Sequence, residues 1–536
     1  MTSDEQPVRR RIAATARALV QTLRPHAVWL AIWLPLALWF AHPLWSARLL
    51  PLHDLPNHLA RISALHHLND PSWNLAAYYR RSLQLVPYLG HFYLVHVLAY
   101  VTGSVVSGNL VFMVAYILAT PLCGLAFARA TGRSPYLAFL LLPLAVSIYF
   151  QWGFISFCAG VMLLLPALAA LYRLLDAPSR NRAIIVGVWC ATLYLFHIVP
   201  WSAFGAYAII LIVLELTAKR TRGPLLAAIA MAPSLLMLVV GMRQARSFGY
   251  FGGHRYDAQT DTPGKLLSRA LTMINWWQTE NRDEWILVGL MLALLLLVVT
   301  DHGDAIDTGE PWRQRIRIPL AFCLFIAAAF ATPFWIRQPF NWWMVNQRFL
   351  FPAACIALFF PRGPIRGARA GILAVAIIAT LWLPPAMAMH YRNFSNRAAP
   401  LVDLIQATPL GSNTLVLTLP GHSFEDPDLA PQMTIWRELH NYPLVYRGGY
   451  DPYLYDDGFP IKRISELPAP KVARAAETIH SPDETKFHPE TMLRAWDYII
   501  VTDEDRESLP PDGMAELRHA GRWTLYRSLL RDHSPQ

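Results

Sequence analysis

The sequence predicts an all-α polytopic membrane bundle with a small C-terminal extracytoplasmic α/β domain. Three observations predict it. The chain is 54% hydrophobic and 15% charged, well short of the roughly one quarter charged residues of a soluble domain. Uncharged apolar stretches such as 286–300 and 371–384 recur through the first 390 residues. One such run reads as a buried core helix, but about ten in succession read as spans, each needing roughly 20 residues to cross hydrocarbon. Beyond residue 390 the pattern changes to short strand-like runs at 414–419, 443–447, 498–502 and 523–527, with Pro- and Gly-containing turns and an amphipathic stretch at 471–480 between them. A segment of that length can hold its own core.

The arginines order the spans. Arg9, Arg10, Arg11, Arg17 and Arg24 precede the first apolar run and place segment 1–26 in the cytoplasm. The run at 27–40 has no small-x-small cleavage site after it, so it reads as a retained first span rather than a signal peptide. The parity of the rest turns on 87–101, which is apolar but carries Tyr88, His91, Tyr93, His96 and Tyr100. If it crosses, Arg129 with Arg133, Arg173 with Arg180 and Arg182, and Lys219 with Arg220 and Arg222 fall outside, against the positive-inside rule. If it lies along the outer interface, as suits its aromatic character, all these fall inside. Arg313, Arg315, Arg317, Arg362, Arg366 and Arg369 then join them, and the short loops around 151–153 and 199–201, which have no Lys or Arg, face outward.

The second arrangement is expected. It gives about eleven crossings, near 27–42, 105–127, 135–150, 154–174, 183–198, 202–218, 224–241, 285–301, 318–335, 349–361 and 370–388. The domains are then a basic cytoplasmic segment (1–26), a transmembrane domain (27–389) with outer loops 43–104 and 242–284, and a periplasmic domain (390–536). Short basic cytoplasmic loops fit a bacterial inner membrane.

The net charge of +10 follows from these loop arginines. No basic stretch is interleaved with base-stacking aromatics, so no nucleic-acid partner is expected. Cys123, Cys158, Cys190, Cys323 and Cys355 all lie in apolar runs, without metal or disulfide spacing, and read as packing residues. GxxxxGK[ST], CxxC, HExxH and GxSxG are absent. That argues against ATP-driven transport within the chain. No internal repeat of the inverted-transporter kind is evident.

The chemistry concentrates in His53-Asp54-Leu55-Pro56-Asn57-His58-Leu59-Ala60-Arg61, about ten residues after the first span. Asp54 lies just ahead of a helix whose first turn can hold Pro56. His58, Arg61 and Leu65 share one face of that helix. A carboxylate at the mouth of the membrane, with His53, His58 and Arg61 near it in sequence, can act as a general base beside groups that bind an anion or a metal. The competing reading is an ordinary Asp cap on a solvated helix.

An Asp in the first outer loop directly after the first span resembles the layout of GT-C membrane glycosyltransferases, the group of protein O-mannosyltransferases and aminoarabinose transferases. Segments 55–68 and 87–101 resemble the outer-loop helices of that group. The basic pair Arg129 and Arg133 ends the second span. Asn346-Gln347-Arg348-Phe349-Leu350-Phe351-Pro352 is similar to its Arg-aromatic-x-x-Pro start of a late span. Leu55 follows the Asp where many relatives carry Glu. The resemblance implies a polyprenyl-phosphate sugar as lipid donor, Asp54 as base, inverting hexosyl or pentosyl transfer, and Arg348 on the phosphate. Physical chemistry supports an anion there independently: an Arg at the end of a span needs an anionic partner or water, although snorkelling to the interface also supplies water.

His53, Asn57, His58, Arg61, His197, Arg243, Arg246, Arg255 and Arg348 are the expected substrate-binding residues. His197 ends its span on the same side as Asp54. The loop 242–284 concentrates Arg243, Arg246, Arg255, Lys265 and Arg269 around Phe248-Gly249-Tyr250-Phe251-Gly252-Gly253-His254, a pattern suited to a mobile lid over a sugar or lipid head. Trp276-Trp277 and Trp342-Trp343 read as interfacial belts. No cofactor is assigned, and a divalent metal is the one left open. The acceptor is a glycan, lipid or protein. The alternatives are a transporter or flippase for a lipid-linked or anionic solute, which calls for ionisable groups at mid-membrane, and a non-catalytic assembly protein.

Overall fold

The structure is a computed structural model that describes residues 27–82, 85–247, 257–266, 282–300, 311–338, 343–417, 435–452, 454, 460–465, 493–503 and 513–530. Its helices are α1 (Ala27–Ala41), α2 (Leu55–His67), α3 (Leu89–Thr102), α4 (Val105–Ala130), α5 (Ile155–Asp176), α6 (Arg180–Phe196), α7 (Ile198–Thr217), α8 (Arg222–Ser247), α9 (Arg282–Val299), α10 (Arg317–Ala331), α11 (Leu350–Ala357), α12 (Ala368–Thr380), α13 (Leu383–Ala407) and the short α14 (Tyr442–Tyr446). Its strands are β1 (Tyr79–Arg81), β2 (Asp257–Gln259), β3 (Trp335–Gln338), β4 (Thr414–Leu417), β5 (Ile461–Arg463), β6 (Tyr498–Thr502), β7 (Met514–Ala520) and β8 (Trp523–Ser528).

Among the described residues, six segments are both long and apolar enough to cross a membrane: Ala27–Trp45, Val105–Ala130, Ile155–Asp176, Ile198–Thr217, Arg222–Gln244 and Ala368–Ala407. The chain is a multi-pass membrane protein. Expected span 370–388 is divided between α12 and α13 by a turn at Leu381–Trp382, and two others are more broken. Region 135–150 is a 3₁₀ turn (Pro135–Leu140) and two short helices (Leu141–Ala145, Ile148–Gln151), and region 349–361 holds only the eight residues of α11. Pro135 opens the first piece, Pro143 lies in the second, and Ser147 breaks to extended backbone before the third. Broken backbone is tolerated at membrane depth only inside protein, and residues 137–142 are all buried.

Helix α5 is the centre of the bundle. Its apolar window is 89% buried against 28% for α8, so α5 is enclosed by protein while α8 turns its surface outward. A helix apolar all round belongs in such surroundings. Helices α4, α6, α7 and α8 pack on α5. Helix α3 folds back on the start of α4, where Gly108 lies under the backbone of Val95 and Ala99. With 14 residues, about 21 Å at 1.5 Å per residue, α3 is too short to cross by itself. Tyr93, Leu94, Val97, Tyr100 and Val101 form its exposed side.

The C-terminal ends of α5 and α7 share an ionic network. Arg317 donates to both carboxylate oxygens of Asp176 at 2.7 and 2.9 Å. Arg220 donates to Glu215 at 3.0 Å, with Arg317 and Arg313 3.8 and 3.7 Å from the same carboxylate. Arg182 donates to the Arg173 carbonyl, Arg362 to that of Arg315 and Arg369 to that of Leu297. Hydrogen bonds thus gather the arginines of successive connections at one end of the bundle.

At the other end sits the C-terminal unit. Its sheet runs in the order β4-β6-β8-β7, with β4 parallel to β6 and the other pairs antiparallel. Nearly every residue of β4 and β6 is buried, the continuous apolar pattern of strands covered on both faces. The run at 443–447, expected as a strand, is helix α14, with Pro443 in its first turn where its fixed φ and missing N–H favour a helix start. Strand β7 was not expected. It is an exposed edge whose Glu516, Arg518 and His519 read as polar surface. The expected amphipathic stretch 471–480 lies outside the described residues. Helix α13 runs through residue 390 without a break and carries the bundle into this unit.

The first loop folds with the C-terminal unit. Strand β1 pairs antiparallel with β5, Arg80 opposite Lys462. Ser63 on α2 donates to the Val445 carbonyl, Asn413 to the Tyr78 hydroxyl, and the Gly449 amide to the Trp73 carbonyl. Gly448 has φ +79°, and a Cβ there would collide with the Trp73 carbonyl, so only glycine closes this seam.

Candidate functional site

The site is built on one tight turn, Gln151–Gly153, between the broken helices and α5. The Gln151 carbonyl accepts the His53 amide at 3.1 Å and the Trp152 carbonyl accepts the Asp54 amide at 3.0 Å. Gly153, at φ +81°, lies so close that a Cβ would sit 2.8 Å from the Asp54 nitrogen. The backbone of Asp54 is therefore clamped from outside its own helix. Asp54 occupies the cap position of α2, with Pro56 in the first turn, yet its side chain makes no capping hydrogen bond. An ordinary capping Asp would spend its carboxylate there. Instead its Oδ1 lies 3.9 Å from His53 Nε2, and the Asp54 side chain is 24% exposed against 9% for His53. It is reachable by a solute.

His58 faces away from this carboxylate. It lies by the Gly153 backbone and meets His91 and Phe92 edge-on at 6.0 and 5.6 Å. Burial first, then the charges of His91 and Arg61, hold its imidazole well below the usual pKa. It stays neutral and braces the turn from the α2 side. Arg61 is buried on α2, and Asn57 donates to Asn441 of the C-terminal unit at 3.4 Å. Of the expected companions, His53 stands at the Asp54 carboxylate.

Arg348 follows the 344–347 turn into α11. Its guanidinium lies over the Phe154 ring at 4.4 Å and near that of Phe157 at 5.7 Å. Its Nη1 is 3.0 Å from His197 Nε2, and Tyr88 hydrogen-bonds to it. Tyr88 meets the His197 ring edge-on at 4.6 Å. Among the described residues no carboxylate lies within ion-pairing distance of Arg348. His197 Nδ1 accepts the Val199 amide at 3.1 Å. A neutral imidazole has one acceptor nitrogen, so the proton falls on Nε2, facing the Arg348 donor. Two donors in contact leave room for an anion to satisfy both. Tyr88 and Met344 have φ +82° and +56°. Such strain in non-glycine residues concentrates at functional sites.

Trp152 joins the two halves. Its ring meets His53 at 4.9 Å and Trp343 at 4.9 Å, and stacks on Phe154 at 6.2 Å. Asp54 is thus bonded at residue 152 and Arg348 stacked at residue 154, whose Cα atoms are at most about 7 Å apart. His197 lies against Arg348. Arg243 is exposed near the end of α8. The Arg246 side chain, Arg255, Arg269, the aromatic–glycine run 248–254 and Trp276-Trp277 lie outside the described residues. No group of three or more His, Cys, Asp or Glu suited to a metal occurs among the described residues.

Sequence reasoning missed Tyr88, Trp152, Phe154, Phe157 and Asp261, whose carboxylate accepts from Asn346 Nδ2 at 3.1 Å. The available signal was Trp152-Gly153-Phe154, a glycine between aromatics in a loop without Lys or Arg.

No family model and no curated protein matches the chain. Solved structures are similar to it, two of which follow. One is the arabinofuranosyltransferase AftD from mycobacteria, with a TM-score of 0.47 and 15% identity over 94% of this chain. This chain spans 42% of the length of that one. The other is ArnT from Cupriavidus metallidurans bound to undecaprenyl phosphate, with a TM-score of 0.43 and 12% identity over 95% of this chain and 99% of that one.

Proposed function

We propose that this chain is a membrane glycosyltransferase that takes a hexosyl or pentosyl group from a polyprenyl-phosphate carrier on the extracytoplasmic side of a bacterial inner membrane. The reading rests on one observation. Arg348 lies against aromatic faces, a hydroxyl and an imidazole, with no carboxylate against it among the described residues, and the Phe154 ring beneath it directly follows the turn that clamps Asp54. A cation at the end of a span calls for an anionic partner. A guanidinium fork fits phosphate oxygens.

In this reading the donor phosphate lies on Arg348 and His197, with its lipid tail among the spans. Asp54 takes the proton of an acceptor hydroxyl. The oxygen bonds to the anomeric carbon as the bond from that carbon to the phosphate oxygen breaks. The configuration inverts and polyprenyl phosphate leaves with the electron pair. Charge grows on the leaving phosphate as the bond breaks, so Arg348 and His197 favour the transition state over the ground state. The acceptor remains a glycan, lipid or protein hydroxyl.

The test uses the purified full chain with synthetic polyprenyl-phosphate sugars in detergent, where no gradient exists. Sugar transfer or release that Arg348→Ala and Asp54→Asn both abolish is the expected result. Movement of labelled lipid across vesicles with no sugar chemistry would overturn the reading in favour of a flippase.

A further inference from the structure

Tyr88 enters the site from the link between β1 and α3. It is a non-glycine residue at φ +82°, and such a backbone persists only where the surroundings fix it. Its hydroxyl hydrogen-bonds to Arg348. A guanidinium only donates, so the Tyr88 oxygen accepts and helps to fix the orientation of the fork. The Tyr88 ring meets that of His197 edge-on at 4.6 Å.

Both sides of Tyr88 are held by the ends of α6 and α8. Three residues earlier, the Leu85 amide donates to Gln244 Oε1 at 2.7 Å, and the Leu85 carbonyl accepts from the Tyr194 hydroxyl at 2.9 Å. Side chains from two helices thus satisfy the backbone of one residue. Gly241, three residues before Gln244, makes room for it. A Cβ there would overlap the Leu85 carbonyl and sit 2.8 Å from the Tyr194 hydroxyl. Tyr194 is 1% exposed, and its hydroxyl also reaches the Met237 carbonyl at 3.3 Å, so α8 steadies the phenol that holds Leu85. Pro87 stands between Leu85 and Tyr88. Its ring fixes one φ and favours extended backbone at Val86. The link is a strut of at most about 11 Å. On the far side of Tyr88, a Cβ at Gly90 would lie 3.0 Å from the Phe196 ring and 3.3 Å from the Leu195 carbonyl. The end of α6 therefore holds Leu85 with Tyr194, seats α3 with Phe196 and meets Tyr88 with His197.

We propose that Tyr194 and Gly241 are positioning residues for the lipid phosphate. By seating Leu85 they set, through the Pro87 strut, where Tyr88 holds the Arg348 guanidinium. This rests on the glycosyl-transfer reading above and extends it to residues outside the phosphate site itself.

The test is a double-mutant cycle read by binding of bare polyprenyl phosphate to the full chain in detergent, with thermal unfolding followed on the same samples. Tyr88→Phe removes the hydroxyl at Arg348, and Tyr194→Phe removes the hydroxyl at Leu85. Tyr194→Phe is expected to weaken binding about two- to tenfold, the worth of one neutral hydrogen bond. In the Tyr88→Phe background the same change is expected to cost less than about twofold, because the group it positions is gone. Gly241→Ala is expected to weaken binding at least as much as Tyr194→Phe, with the same dependence on Tyr88. A Tyr194→Phe chain that melts lower but binds like wild type would overturn the inference, since the clamp would then serve folding alone. An equal loss of affinity with and without the Tyr88 hydroxyl would overturn it too. In either case Arg348→Ala still weakens binding, and the phosphate site stands. If the wild-type chain binds no polyprenyl phosphate, the glycosyl-transfer reading is overturned first and the inference goes with it.

Discussion

The two ends of α5 and α7 handle charge in opposite ways. At the C-terminal ends, Asp176 and Glu215 meet Arg317, Arg220 and Arg313, and Arg317 also lies over the Tyr172 ring at 4.9 Å. At the N-terminal ends, about 33 Å away along the 22 residues of α5, Arg348 has, among the described residues, aromatic rings and an imidazole instead of a carboxylate, and Asp54 does not cap its own helix. A network in which every carboxylate is paired needs no further partner for its acids in a low-dielectric setting. A cation with no acid beside it among the described residues is incomplete until something arrives. The same helices therefore carry a staple at one end and a site at the other.

That contrast can be broken most directly at Asp54. Asp54→Asn keeps the size and loses the base. Transfer is expected to fall by about 10²–10⁴, while thermal stability and membrane insertion stay near wild type. Residual transfer within a few fold of wild type would remove Asp54 from the chemistry. At the staple the signature reverses. Arg317→Ala leaves Asp176 and Glu215 without their most buried partner, and removing one member of a buried pair costs at least about 3 kcal/mol. Thermal unfolding in detergent should show a large loss of stability, with lipid binding retained in the folded fraction. An unaltered melting temperature would mean the network is ornamental.

Arg348→Ala sharpens the comparison from the site side. Bare polyprenyl phosphate should bind about ten- to a hundredfold more weakly, the worth of charge-assisted hydrogen bonds, with little change in melting temperature. A binding curve that does not move would mean that Arg348 only snorkels to the interface. The pair of variants separates the two ends: one arginine reports in stability, the other in affinity.

The staple end was legible in the sequence, because the arginines at 173, 182, 220 and 313–317 recur after apolar runs and the positive-inside rule groups them. At the site end, Asp54 ahead of Pro56 and Arg348 ahead of α11 were legible from spacing. Their meeting place was not. The Gln151–Gly153 turn is a tertiary contact between residues about a hundred positions apart, and it follows a region whose prolines break an apparent span into buried pieces. The seam between the first loop and the C-terminal unit depends on β1, three residues long, pairing with β5. No periodicity survives in so short a strand. Asp261 escaped notice because the basic and aromatic residues around it drew the reading of that loop, and only the register of β2 on β3 brings it to Asn346.

The smallest expected effect lies beside the site, where α2 meets α3. His66 Nδ1 is 3.2 Å from His96 Nδ1, and His67 stacks on Trp73 at 3.6 Å. Burial lowers all three imidazole pKa values, that of His67 to about 4 against the usual 6.5, with Asp70 pulling the other way and His66 and His96 adding to the fall. Two protonated rings cannot keep the His66–His96 contact. These groups are neutral in the folded chain and take up protons more readily when it opens. Their contribution is therefore complete above pH 6.5 and declines as pH falls toward 4. Limited proteolysis of segment 43–104 should show opening that increases modestly over that window, with the slope reduced in His67→Gln. A variant slope equal to that of wild type would assign the acid sensitivity elsewhere, and protection that rises as pH falls would reverse the sign of the argument.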